Sequence, residues 1–272
     1  MRNKKAIIQN TKNEILNIYQ QLLDLSADKL QNDVSPIFEN LQKVTRITDI
    51  DITKTILKDT EIKKIQPYLR KLWANYEYQR EKSWALEIYN SSKSSLELSR
   101  YPVYNFYEKI IPLEFGIGNA LYEKVVCNVL FIGSGPLPLS SIILAKTAKI
   151  HVDGIDILQE ACDISTKLVK KLKLQTQIRF ICTDICAMDT IKKYDIIILS
   201  TLAGETIQEK LAIFEYLNKH MRKGQILIIR TVQGLKSLLY QESQINDLKS
   251  FKIHFENKSS NIISRIIVAQ KQ

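Results

Sequence analysis

All eight glycines of this 272-residue chain lie at or beyond Gly116. A run of 115 residues without glycine has few places for tight special turns, and that suits a bundle of helices. Within it, Ile15, Ile18, Leu22 and Leu25 recur at helical spacing. Ser35-Pro36 reads as a helix cap followed by proline at the first helical position, with Ile37, Leu41 and Val44 on one face. A third helix is predicted from about Pro67 to Tyr89.

Beyond Gly116 the period changes. Residues 125–132, 151–155, 177–182, 195–199 and 225–231 read as five strands, and helical stretches fill the gaps at about 138–147, 159–172 and 205–220. Strands separated by helices of that size predict an α/β, doubly wound parallel sheet. A late strand at 262–269 is expected at an antiparallel edge. The chain is therefore divided into a helical domain, 1–115, and a Rossmann-like domain, 116–272.

Hydrophobic residues make up 45% of the chain, enough for a substantial core, yet no window approaches the roughly 20 apolar residues of a membrane span. The basic start is not followed by a sustained apolar run, so no signal peptide is expected and a cytoplasmic protein without membrane partners is. Cys127, Cys162, Cys182 and Cys186 form no CxxC pair and have no histidine at zinc-ligand spacing. They read as small reduced core residues, and no metal site is expected. The net charge of +10 is scattered in single and paired lysines without interleaved aromatics. It reads as solvated surface that also steers an anionic substrate, and not as a nucleic-acid footprint.

The strongest chemical signal is Phe131-Ile132-Gly133-Ser134-Gly135-Pro136-Leu137-Pro138. A buried strand ends in two close glycines and then enters a helix, so the backbone can approach a ligand beside free N–H groups. Pro138 stands where a dinucleotide loop has its third glycine, which argues against a pyrophosphate but permits a smaller nucleoside with an amino-acid end. Asp156 lies 156 − 135 = 21 residues beyond the second glycine, the offset of an acid that accepts ribose hydroxyls. Asp184 follows the third strand, where methyltransferase-like sheets meet the adenine. Ile157 and Ile185 flank these acids. Either aspartate could equally cap a helix.

The stretch Phe131–Ser141, FIGSGPLPLSS, resembles the signature of nicotianamine synthases. Residues 70–85, 101–115, 193–204, 220–240 and 262–271 also look like family segments in family order, so the resemblance covers roughly 65–272. It implies a fold of the S-adenosylmethionine-dependent methyltransferase type. It also implies transfer of the cofactor's aminobutyrate arm, not its methyl, to an amine, with methylthioadenosine as by-product. Within the family the sequence looks closest to the bacterial opine-metallophore branch. That branch implies one transfer onto an amino acid such as D-histidine in a staphylopine-like pathway, with the product handed to an opine dehydrogenase. Family members often carry histidine-glycine after the fifth strand, whereas this chain has Gln233-Gly234.

Trp73, Glu77, Glu81, Trp84 and Ile88 fall on one stripe of the third helix. Two carboxylates among two tryptophans point to burial, which would raise a glutamate's pKa towards a useful range for proton transfer. Glu81, which also matches the family, is the candidate base, and Glu77 is assigned to the substrate. Tyr107 matches the last tyrosine of the family's tyrosine-rich segment and is the second catalytic candidate, with Tyr104 a weaker companion at the substrate. Thr201, Leu202, Ala203 and Gly204 follow the fourth strand, where the cofactor's amino-acid end passes. Glu205 could pair with a substrate amine. Arg230 could clamp a carboxylate or form a structural ion pair.

Three other readings stay open: iterative nicotianamine synthesis, small-molecule methyl transfer, and a basic nucleic-acid binder on a methyltransferase-like scaffold. The sequence encodes neither acceptor chirality nor oligomeric state, and a homodimer is one option.

Overall fold

The computed structural model describes residues 2–24, 35–243, 246, 248–257 and 264–272. Six helices come first: α1 (Arg2–Leu23), α2 (Ser35–Val44), α3 (Ile50–Lys58), α4 (Thr60–Asn90), α5 (Ser94–Ser99) and α6 (Tyr104–Leu121). Alternation follows: β1 (Asn128–Ile132), α7 (Leu139–Ala148), β2 (His151–Asp156), α8 (Gln159–Lys171), β3 (Ile178–Cys182), β4 (Ile196–Leu199), α9 (Ile207–His220) and β5 (Ile226–Val232). The chain then adds β6 (Phe251–Glu256) and β7 (Ser264–Lys271).

The sheet order is β3-β2-β1-β4-β5-β7-β6. The first five strands are parallel, and β7 runs antiparallel to both β5 and β6. β1 pairs with both β2 and β4, so the strand order reverses there and leaves a crevice at its carboxyl end. The strand apolar residues alternate between two cores. Val129, Phe131, Ile196, Ile198, Ile226 and Ile228 face one. Leu130, Ile132, Ile197, Leu199, Leu227 and Ile229 face the other. Period-two alternation with both faces covered is why these strands read as continuous aliphatic runs.

A third core holds the helical half together. It joins Ile15 and Ile18 of α1, Phe38 and Leu41 of α2, Ile56 of α3 and Trp73 of α4. Leu235, Leu238 and Leu239, just after β5, insert into it. α4 serves two cores: Leu69 and Trp73 pack in the helical one, while Ala85 and Ile88 pack against the sheet. At 1.5 Å per residue its 31 residues span about 46 Å. The middle of α4, which carries Glu77 and Glu81, is thereby set between the two cores.

Several expectations change. The helix expected from Pro67 begins at Thr60, with α3 before it, so it is the fourth helix and Pro67 lies inside it. Asp59 caps it by accepting from the N–H groups of Glu61 (2.9 Å) and Ile62 (3.3 Å). Packing into two cores outweighs the roughly 3 kcal/mol that an internal proline costs a helix. α6 runs through the expected boundary at residue 115. β6 is an additional strand. Leu25 and the first two residues of the expected late strand lie outside the described residues. Cys162 alone is buried; Cys127, Cys182 and Cys186 are exposed, because they sit near strand ends where the core stops.

Candidate active site

The carboxyl ends of β1, β2, β4 and β5 meet the middle of α4 and the start of α6 around a cavity of about 720 Å³. Its floor is the glycine loop. The N–H groups of Gly133 and Ser134 both donate to the Ile155 carbonyl at 3.0 Å, which ties the loop to β2. The Gly135 N–H donates to Asp156 Oδ2 at 2.8 Å. Gly133 and Gly135 have φ of 77° and 66°, a region L side chains rarely adopt. A β-carbon at Gly133 would lie 2.3 Å from Ser200 Oγ, and one at Gly135 would lie 2.7 Å from Glu81 Oε2. The glycines are therefore needed both for conformation and for close approach.

The sequence-derived candidates converge here. Glu77, Glu81 and Tyr107 line the helical side, and Gly133, Ser134, Gly135 and Pro136 line the floor. Asp156 and Ile157, and Asp184 and Ile185, line one end. Thr201, Leu202, Ala203, Gly204 and Glu205 line another, with Arg230 beside the loop. Tyr104 is the exception: it packs partly buried against the sheet core and does not line the cavity, because the first turn of α6 directs Val103, Phe106 and Tyr107 there instead. Gln233, in extended backbone at the end of β5, does not line it either.

Both aspartates also do local work. Asp156 Oδ1 accepts from Leu158 N–H at 3.0 Å, and Asp184 Oδ1 accepts from Cys186 N–H at 2.8 Å. Arg230 is engaged as a structural ion pair: its Nε and Nη2 lie 2.8 and 2.7 Å from Glu114 Oε2, and its Nη1 donates to Ser140 Oγ at 2.8 Å. Its guanidinium carbon sits 5.9 Å from the centre of the Tyr107 ring.

Electrostatics separate the two glutamates. Glu77 is buried, and its Oε2 accepts from Arg80 Nη2 at 2.7 Å. Burial raises its pKa and Arg80 opposes the rise. Glu81 is pushed up to about 8, first by burial, then by the nearby Glu77 charge, with Arg80 opposing and Asp156 adding. Burial also raises the Tyr107 hydroxyl, against the pull of Arg230. One carboxyl is thus held as a charge partner, and the other is poised to exchange a proton near neutral pH.

Three buried hydroxyls, Ser134 Oγ, Ser141 Oγ and Ser200 Oγ, have no hydrogen-bond partner, and all three residues line the cavity. Buried polar atoms without partners call for a polar ligand. The loop, two acids and free hydroxyls suit a nucleoside carrying an amino-acid end. Among the described residues no group of three or more His, Cys, Asp or Glu side chains is placed to hold a metal. No described helix is long and apolar enough to cross a membrane.

Sequence reasoning missed Arg80, Lys236 and Tyr240, which also line the cavity, and Lys210 beneath the 201–204 loop. Lys236 and Tyr240 sit four residues apart after β5, but nothing in that spacing distinguishes them from an ordinary exposed turn.

A family model described as nicotianamine synthase protein matches residues 3–272. The chain belongs to the nicotianamine synthase family. Its relatives in that family include nicotianamine synthase 2 of Arabidopsis thaliana, 30% identical over 264 residues that cover 95% of this chain and 82% of the relative. Nicotianamine synthase of Solanum lycopersicum is 28% identical over 270 residues, with the same shares of 95% and 82%. Among solved structures, a variant of MtNAS in complex with S-adenosylmethionine superposes with a TM-score of 0.80 at 21% identity, over 96% of this chain and 97% of the other. MtNAS in complex with MTA and tNA gives 0.78 at 21% identity, over 100% and 97%. At that identity the likeness establishes the shared nicotianamine-synthase fold, a helical bundle on a Rossmann-like sheet.

Proposed function

We propose that this chain binds S-adenosylmethionine in the cavity and transfers its 3-amino-3-carboxypropyl group to an amine, releasing methylthioadenosine. The observation that carries this reading is the approach of the Glu81 carboxyl to Gly135, beside Asp156. A proton acceptor poised near neutrality lies against the glycine loop on which the cofactor would sit. The amine lone pair forms the new C–N bond to the methylene next to sulfur, the C–S bond breaks, and its electron pair leaves with the now neutral thioether. The amine proton passes to Glu81, and Tyr107 orients the arm. Asp156 takes the ribose, Asp184 and Ile185 the adenine end, and Thr201–Gly204 the amino-acid end.

The nicotianamine synthases of Arabidopsis and tomato, which this chain matches over 95% of its length, favour repeated transfer with further cofactor arms as acceptors. A single transfer to D-histidine, for a staphylopine-like metallophore, rests on the sequence resemblance to the opine branch. Mass spectrometry after incubation with S-adenosylmethionine, with and without D-histidine, separates them. Repeated transfer gives a product from S-adenosylmethionine alone; single transfer requires D-histidine and adds one aminobutyrate unit. S-adenosylhomocysteine in place of methylthioadenosine would overturn both in favour of methyl transfer.

A further inference from the structure

Three cations line the cavity among the described residues: Arg80, Arg230 and Lys236. Two of them are committed. Arg80 is paired with Glu77, and Arg230 spends Nε and Nη2 on Glu114 and Nη1 on Ser140. The third makes no ion pair with a described residue. Lys236 lies on the 3-10 turn Gly234–Leu238 after β5. Leu235 and Leu238 anchor that turn in the helical core, Tyr240 packs partly buried against the same core, and Lys236 and Tyr240 both line the cavity. The Lys236 ammonium sits 5.8 Å from the centre of the Tyr240 ring and makes no ion pair or hydrogen bond among the described residues. The charged groups that act on it are Glu77, already held by Arg80, and Arg46. Burial lowers its pKa from the usual lysine value, Glu77 opposing and Arg46 adding. A half-buried ammonium without a counter-ion is costly to keep, and a ligand anion relieves that cost.

Its place along the cavity selects the anion. Glu81 lies against Gly135, whose N–H is held by Asp156, and Glu77 stands one turn before it on α4. Lys236 feels Glu77 but lies towards Arg46, in the turn after α2, and Tyr240, whose ring meets Trp73 of α4 at 6.0 Å. The nucleoside end is therefore at Asp156, the reacting amine at Glu81, and Lys236 beyond them in the helical half.

We infer that Lys236 binds the carboxylate of the acceptor and selects α-amino acids over plain amines, a specificity role that rests on the proposed transfer reaction and moves the carboxylate clamp from Arg230 to this lysine. The test is calorimetric titration of methylthioadenosine-saturated protein with acid–amine pairs. The pairs are D- and L-histidine against histamine, and L-methionine against 3-methylthiopropylamine. The wild type should bind the acid of at least one pair about 10- to 100-fold more tightly than its amine, the range of a charge-assisted hydrogen bond. Lys236→Met should erase that ratio while S-adenosylmethionine affinity stays within about twofold. Lys236→Arg should retain much of it, which guards against a folding defect in the methionine variant. A wild type without preference in any pair, or a Lys236→Met protein that keeps it, overturns the assignment. Binding selectivity without methylthioadenosine release from S-adenosylmethionine would instead overturn the reaction and leave the carboxylate site standing.

Discussion

Glu81 on α4 and Gly135 in the loop after β1 are packed so closely that a single methyl group at Gly135 would fall 2.7 Å from Glu81 Oε2. Residues 54 positions apart in sequence thus share one surface, and the glycine is fixed by tertiary contact as well as by its φ of 66°. Gly135→Ala meets both obstacles. It should cost about 1–2 kcal/mol of stability from the left-handed backbone alone. It should also lower methylthioadenosine release by at least about tenfold, because the Glu81 carboxyl must move. Thermal unfolding and initial rates read the two effects separately; a fully active alanine variant would show that this contact does not shape the site.

Glu81→Gln keeps the shape and removes the proton acceptor. S-adenosylmethionine affinity should stay within about twofold while turnover falls by roughly 10²–10⁴-fold. With Glu81 pushed up to about 8, the wild-type rate should rise with pH to about 8 and then level, a limb the variant lacks. Stability moves the opposite way. The folded carboxyl holds its proton between the ordinary value of 4.5 and about 8 while the unfolded one does not, so this group's contribution falls as pH rises through that window. The variant's melting temperature should therefore gain on the wild type from pH 5 to pH 8; a constant difference would contradict the raised pKa.

Much of the site was legible because its residues obey local rules. Phe131–Pro138 pairs a buried strand with two glycines, Asp156 follows at its fixed offset, and Glu77 and Glu81 lie on a stripe with Trp73. Long-range contacts were not legible. Arg230 reads equally as a clamp or an ion-pair member until Glu114, 116 positions away, is seen beside it. Tyr104 reads like Tyr107 until the first turn of α6 aims them differently. Pro67 reads as a helix start because its ring suits that place, and only packing into two cores reveals Asp59 as the true cap. Lys236 has no local signature at all, since its exposure depends on which way Leu235 and Leu238 are buried.

Asp156 ties the glycine loop to the turn after β2 and lines the cavity. Oδ2 accepts from Gly135 N–H and Oδ1 from Leu158 N–H. Asp156→Ala deletes the side-chain acceptors of both backbone N–H groups and the proposed ribose partner, so S-adenosylmethionine should bind about 10- to 100-fold more weakly by calorimetry. Asp156→Asn keeps one carbonyl oxygen for Gly135 or Leu158 and should fall between. Wild-type affinity in the alanine variant would remove Asp156 from the ribose and return it to capping alone.

Lys210 is only 3% exposed, and its Nζ donates to the carbonyls of Thr201 (3.1 Å) and Ala203, which braces the loop after β4 from beneath. Burial brings its pKa down from 10.5 to about 7, with Glu209 opposing. Between those values the unfolded chain binds a proton that the folded chain does not, so this group's contribution to stability rises with pH across the window. Lys210→Met removes both the titration and the brace. Its melting temperature should compare best with the wild type near pH 6, where the buried charge is most costly, and progressively worse towards pH 10. The Michaelis constant for S-adenosylmethionine should rise several-fold at every pH, because Thr201 and Ala203 lose their donor. A melting-temperature gap that does not change with pH would mean that Lys210 keeps an ordinary pKa, while a normal Michaelis constant would mean that the loop holds its shape without the brace.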